Sequence, residues 1–153
     1  MTSSADTRRP SQPLVVLDQP DRRDIQFLEE RIDEHNIGHT GITDARLLAI
    51  LLRDDHDEII GGLYGWTWGG CCEVQTLWMH ERWRSKGLGT QLMTAAEAEA
   101  RARGATQMVL STHSFQGPEF YRRLGFVEVG RVENYPEGHS SIYLRKTLLA
   151  NAE

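Results

Sequence analysis

The sequence predicts a single mixed α/β domain, and three observations carry that expectation. Some segments alternate apolar and polar residues with period two, others repeat apolar residues with period 3.6, and the two kinds are interleaved. The chain of 153 residues has length for one core but not for two ordinary domains. Hydrophobic residues at 39% and charged residues at 25% are the balance of a globular chain, not of a disordered or membrane-embedded one.

The elements follow in order. The opening stretch MTSSADTRRPSQP has a basic pair with no apolar run after it, so residues 1–12 are expected as a flexible tail rather than a signal or an anchor. One domain is expected over residues 13–149. Leu14 to Leu17 is an apolar run suited to a strand, and Ile25, Leu28 and Ile32 stand at helical spacing between Asp21 and His35. Asn36 to Gly41 is polar and glycine-bearing and reads as a loop that can face a ligand. Ala45 to Arg53 and Ile59 to Trp68, joined by the acidic turn Asp54 to Glu58, read as a hairpin. Glycines in and after its second strand let a backbone or a ligand approach closely. Trp66 and Trp68 share one face by period two, as sheet packing or as a ligand wall.

A further strand runs from Cys71 to about Met79, and a helix from Leu88 to Ala102 carries the stripe Leu88, Leu92, Met93, Ala96 and Ala100. Met108 to Ser111 reads as a short strand, Pro118 to Leu124 as a short helix opened by proline, and Phe126 to Glu133 and Ser140 to Lys146 as closing strands.

Several function classes are disfavoured. A formal charge of -5 lacks the broad electropositive surface that nucleic acid requires. No apolar run reaches the roughly 18 residues of a membrane span. The adjacent cysteines, Cys71 and Cys72, point to opposite faces of a strand and do not suit a bridge, and free thiols suit the cytoplasm. No C-x-x-C or H-x-x-x-H spacing supports a metal site, and no G-x-S-x-G elbow supports a serine hydrolase.

The chemistry concentrates between the strand and the long helix, at Arg84-Ser85-Lys86-Gly87-Leu88-Gly89-Thr90. The two glycines let the backbone turn tightly and present consecutive N–H groups at a helix start, where the dipole favours a phosphate or pyrophosphate. Arg84 and Lys86 are placed to add charge. The spacing is neither G-x-G-x-x-G nor G-x-x-x-x-G-K-[ST], so a dinucleotide or ATP loses support against another phosphate-bearing group.

The longer run L-W-M-H-E-R-W-R-S-K-G-L-G-T-Q-L-M resembles the acyl-CoA signature of the Gcn5-related N-acetyltransferase (GNAT) superfamily. A second segment, Ser114 to Phe126, is similar to that family's N-x-x-A-x-x-F-Y-x-x-x-G-F element. The resemblance covers residues from about 60 to 146. It implies a twisted, mostly antiparallel sheet flanked by helices, with a splayed strand pair that admits acyl-CoA. It further implies that the backbone of Leu77, Trp78 and Met79 meets the pantetheine arm and that the amides of Arg84 to Thr90 hold the pyrophosphate. Ser114 stands where the family often has an asparagine touching pantetheine, and a serine reaches less far.

Amide formation from a thioester needs a proton acceptor for the amine, a donor for the leaving thiolate and stabilisation of the oxyanion. Tyr121 matches the family's general acid, and otherwise is a packing residue. Glu73 lies at the offset before Arg84 at which some family members carry a catalytic glutamate, and shares strand parity with Leu77. Beside Val74, Trp66 or Trp68, such a carboxylate would be raised towards neutrality, and otherwise it is a solvated strand residue. His80, His113 and His139 are substitutes for the base. The loop Asn134 to His139 is either a cover over the acceptor or an ordinary surface turn.

The expected activity is transfer of an acetyl group from acetyl-CoA to a primary amine of a small molecule. Acetylation of a protein or peptide, and acyl-CoA binding without turnover, are the alternatives. The resemblance also implies pairing as a homodimer, though no residue of the sequence identifies an interface.

Overall fold

The computed structural model describes residues 8–9 and 13–148, and the chain divides into two compact units, residues 1–41 and 42–153. Apart from Arg8 and Arg9, the expected tail over residues 1–12 lies outside the described residues.

In the first unit, helix α1 spans Arg22–Thr40. It begins where the Asp21 side chain accepts a hydrogen bond from the Arg23 amide at 2.8 Å. It ends at Gly41, whose φ of 68° turns its N–H back to the Ile37 carbonyl. Two expectations are corrected here. Residues 36–40 are the last turns of α1 and not a loop, because Gly41 is the stop signal and the Thr40 hydroxyl donates to the Asn36 carbonyl at 2.8 Å. Gly38 is tolerated inside the helix at a cost of about 1 kcal/mol relative to alanine. Leu14 to Leu17 is not a strand: none of its residues takes part in a ladder among the described residues.

The second unit is a six-stranded sheet ordered β1–β2–β3–β4–β6–β5. Its strands are β1 (Arg46–Arg53), β2 (Ile59–Trp68), β3 (Cys71–Met79), β4 (Gln107–His113), β5 (Val127–Glu133) and β6 (Ser140–Thr147). All neighbours are antiparallel except β3 with β4. The acidic turn closes the first hairpin as expected: the Asp54 carboxylate accepts from the amides of His56 and Glu58, at 2.9 and 3.0 Å. Helix α2 (Leu88–Ala102) and the short α3 (Pro118–Arg123) belong to the same unit, together with a single 3-10 turn at Glu81–Trp83. Among the described residues no helix is long and apolar enough to cross a membrane.

Helix α2 buries Leu92, Met93, Ala96 and Ala100 against Leu63, Cys72, Val74, Met108, Leu110, Ile142 and Leu144 of the sheet. The alanines keep one side of the helix thin enough to lie close on the strands. Arg103, just past the helix, pairs with Glu99 at 2.7 Å and donates to the Leu47 carbonyl at 2.9 Å and the Thr67 hydroxyl at 3.2 Å. A charged group that is little exposed needs such partners, and these tie α2 to the hairpin. Burial pushes the Cys72 thiol up to about 11, and Cys71 and Cys72 are both free. A thiol held protonated is a poor nucleophile, so Cys72 is a packing residue.

One irregularity decides the faces of β3. Tyr64 pairs with Thr76 but Gly65 pairs with Val74, so Gln75 is an extra residue that β2 does not match. Past this bulge the alternation reverses. Leu77 lies opposite Leu63 and shares the α2 side with Val74, whereas Glu73 lies opposite Trp66 on the other face. The expected parity of Glu73 with Leu77 is therefore wrong, because a regular period does not survive an inserted residue.

Gly65 marks where the bulge presses on β2. A Cβ added there would collide with the Glu73 carbonyl oxygen and stand 3.0 Å from Val74 Cα. Backbone cannot yield as a side-chain tip can, so the glycine serves strand contact and not a ligand. Gly65→Ala is expected to cost about 1–3 kcal/mol, lowering the melting temperature by roughly 3 °C or more. An unchanged thermal melt would exclude the bulge as described.

Candidate active site

The parallel ladder between β3 and β4 is short. It pairs Cys71–Val74 with Gln107–Leu110 and then stops. Beyond it, residues 75–79 and 111–113 part, and a cavity of about 550 Å³ opens between them. Val74 and Leu110 close one end, Thr76, Leu77, Trp78 and Met79 form one wall, and Ser111, Thr112, Phe115 and Gln116 form the other, with Arg84 and Tyr121 completing it. The bulge at Gln75 lies where the strands diverge. A strand that twists locally cannot hold two straight neighbours, so β3 keeps β2 and releases β4.

The released edge of β3 has free bonding capacity. His80 donates its N–H to the Ile60 carbonyl at 2.8 Å, and Trp78 lies opposite Gly62 in the same register. In an antiparallel ladder alternate residues bond to the same neighbour. The backbone groups of Leu77 and Met79 thus face away from β2, towards the opening. The Arg84 Nε–H already donates to the Met79 carbonyl at 3.1 Å.

The glycine-rich turn leads from β3 into α2. Ser85 (φ 60°) and Gly87 (φ 77°) are both left-handed, and Gly87 is the N-cap of α2 with no side-chain cap. The N–H groups of Leu88, Gly89 and Thr90 therefore have no acceptor within the helix. The two cations expected to assist are engaged elsewhere: Arg84 reaches back to β3, and the Lys86 ammonium lies 4.9 Å from the centre of the Trp83 ring. Gly89 is held close to α3, since a Cβ there would stand 3.3 Å from Phe120 Cζ.

Tyr121 lines the cavity from α3, edge-on to Phe120 and Phe126 with ring centres 5.0 and 6.0 Å apart. Burial pushes its phenol above its ordinary value. It keeps its proton throughout the neutral range.

The other expected residues are less directly placed. Glu73 is half-buried and stands one residue before Val74, outside the cavity lining and on the face away from α2. Ser114 lies in the turn after β4, where its hydroxyl accepts from the Ser140 amide at 3.1 Å and its own N–H donates to the Ser140 carbonyl. It does not line the cavity. His80 spends Nδ1 on the Arg82 amide at 3.2 Å. His113 stacks on Phe115, and His139 meets the same ring edge-on. Trp66 is half-buried and Trp68 exposed, on the sheet face opposite α2. Among the described residues no group of three or more His, Cys, Asp or Glu is placed to hold a metal ion.

Sequence reasoning missed the far wall, made by Ser111, Thr112, Phe115 and Gln116. Its signal was present: the alternation of Met108 and Leu110 continues through Thr112, which extends β4 to His113.

The acetyltransferase (GNAT) family model matches residues 11–126. The chain is 31% identical over 132 residues to acetyltransferase Atu2258 of Agrobacterium fabrum, with 86% of this chain and 96% of that protein covered. It is 34% identical over 116 residues to blasticidin-S acetyltransferase of Streptomyces morookaense, covering 71% and 83%. The crystal structure of an acetyltransferase from Bacillus cereus matches with a TM-score of 0.74 and 26% identity, over 88% of this chain and 98% of that one. The six-stranded sheet and its helices thus share their overall architecture with an acetyltransferase. The chain belongs to the acetyltransferase (GNAT) family.

Proposed function

We propose that this enzyme moves an acetyl group from acetyl-CoA to the primary amine of a small molecule in the cytoplasm. The parting of β3 and β4 after Val74 and Leu110 carries the reading. It supplies an opening in which one wall has unspent backbone groups, as an amide-bearing arm such as pantetheine requires. The unpaired amides at Leu88, Gly89 and Thr90 suit the pyrophosphate. Leu77, Trp78 and Met79 would take the arm, and Ser114, already bonded to Ser140, leaves that contact to other groups.

In the reaction the amine nitrogen bonds to the thioester carbon as the carbon–sulfur bond breaks. The amine gives up a proton and the thiolate gains one. Tyr121, protonated and in the cavity wall, is the donor. Glu73 is the acceptor, acting through water from the opposite face of the sheet. Separate faces keep the two proton transfers apart. The likeness to a protein named for blasticidin-S supports a small-molecule acceptor.

The test is release of free thiol from acetyl-CoA with a panel of small primary amines beside a panel of peptides. Turnover with small amines is expected, with peptides used at least about tenfold less well in kcat/KM, a difference of 1.4 kcal/mol. Turnover confined to peptides would overturn the acceptor class, and failure to bind acetyl-CoA would overturn the reading altogether.

A further inference from the structure

We infer that His113, Phe115, Tyr135 and His139 form an aromatic subsite at the edge of the cavity that stacks a planar ring carried by the acceptor amine. The inference rests on the amine acetyltransferase reading and narrows its acceptor. The rings come from two places: His113 and Phe115 from the end of β4 and the turn after it, Tyr135 and His139 from the hairpin between β5 and β6. His113 and Phe115 are parallel within 5° at 5.4 Å, Tyr135 meets His113 edge-on at 5.6 Å, and His139 meets Phe115 edge-on at 4.8 Å. These are the offset-stacked and edge-to-face arrangements in which aromatic rings attract.

The cluster is not core packing. Phe115 and Tyr135 remain 56% and 57% exposed, although β4 and β6 are already joined through His113 and Ser141 by their ladder. Adjoining exposed rings at the rim of a cavity are what a binding surface needs and what a fold alone does not. Phe115 is shared with the cavity wall, so a ring laid on the cluster would keep its amino group beside the opening. His113 Nδ1 is buried without a hydrogen-bond partner among the described residues. An unsatisfied nitrogen is a cost that packing for stability would avoid.

The platform is also held rigid. Gln116 bonds the His113 backbone in both directions, its amide donating to the His113 carbonyl and its side-chain oxygen accepting from the His113 amide at 2.8 Å. In the hairpin, the Tyr135 amide donates to the His139 carbonyl, the His139 amide to the Pro136 carbonyl, and the Gly138 amide to the Asn134 side chain. A preorganised surface loses little freedom on binding. The same bonds engage the N–H groups of Tyr135, Gly138 and His139, which leaves the loop less able to pair with a peptide backbone.

The probes are phenethylamine and n-butylamine, which share a primary ammonium and differ in the ring. Saturation-transfer NMR on the intact chain with coenzyme A present reads ring binding without turnover, and thiol release from acetyl-CoA reads acetylation. Wild type is expected to saturate the phenethylamine ring protons and to favour phenethylamine roughly tenfold in kcat/KM. Phe115→Leu and Tyr135→Ala should remove that preference, and in Tyr135→Ala, which lies outside the cavity lining, the loss should appear as a raised KM for phenethylamine. Phe115→Tyr should restore it. Affinity for acetyl-CoA, measured in Tyr135→Ala, should stay within about twofold, and equal thermal melts would certify the fold. Equal use of the two amines by wild type, or a preference that survives both ring deletions, overturns the subsite. Acetylation of butylamine without ring binding sinks the subsite and spares the enzyme reading. Ring binding that the variants abolish, with no amine acetylated, does the reverse.

Discussion

Gly89→Glu is expected to abolish acetyl-CoA binding in a calorimetric titration. The substitution adds a carboxylate in the first turn of α2, beside the free amides proposed to hold the pyrophosphate. Like charges brought together at a binding site cost several kcal/mol, so the dissociation constant should rise by about 100-fold or more. A side chain there also presses on Phe120, since its Cβ would stand 3.3 Å from the ring. Gly89→Ala separates the two effects, because it adds the same Cβ without the charge. The alanine variant should bind within a few-fold of wild type if the ring yields by a few tenths of an ångström. Equal loss in the two variants would point to packing, and near-normal binding by the glutamate variant would remove the pyrophosphate from this turn.

Tyr121→Phe is expected to lower kcat by about 10²–10⁴-fold, the range for loss of a positioned proton donor. Phenylalanine fits the setting, because Phe120 and Phe126 pack on the ring and burial already disfavours the charged phenol. Affinity for acetyl-CoA and the thermal melt should change little. Activity controlled by a protonated phenol is lost as the pH rises through the pKa of the phenol. Burial raises that pKa, so the alkaline fall in wild type should come above the ordinary tyrosine value of about 10. A variant within about threefold of wild type would leave Tyr121 as packing alone.

Much of the fold was legible where an element keeps one period along its length. The stripe at Leu92, Met93, Ala96 and Ala100 is the buried face of α2, and the hairpin of β1 and β2 turns on Asp54 as its composition implied. Segments too short for a period to assert itself were misread. Leu14 to Leu17 had only its apolarity to suggest a strand, and the polar, glycine-bearing stretch from Asn36 read as a loop although the helix runs on to Gly41.

The candidate site divided along similar lines. Tyr121 and the strand Leu77 to Met79 were named from motifs and line one cavity. Ser114 was named from its motif position and faces Ser140 instead, because side-chain reach depends on the turn that carries it. Glu73 was assigned to the wrong face, because one inserted residue at Gln75 reverses the alternation and leaves no mark in composition. The aromatic neighbours of Phe115 could not be grouped beforehand, as His113 and Tyr135 stand on different elements.

By itself the sequence determined the class of fold, the positions of the main strands and helices, and the turn suited to phosphate. These are local matters, set by residue period and by the conformational freedom of glycine. Only the tertiary structure decided where β3 and β4 part, which side chains face the opening, and which rings meet at its rim. Those outcomes depend on the pairing of strands distant in the chain and on a single bulge between them, and no local period records either.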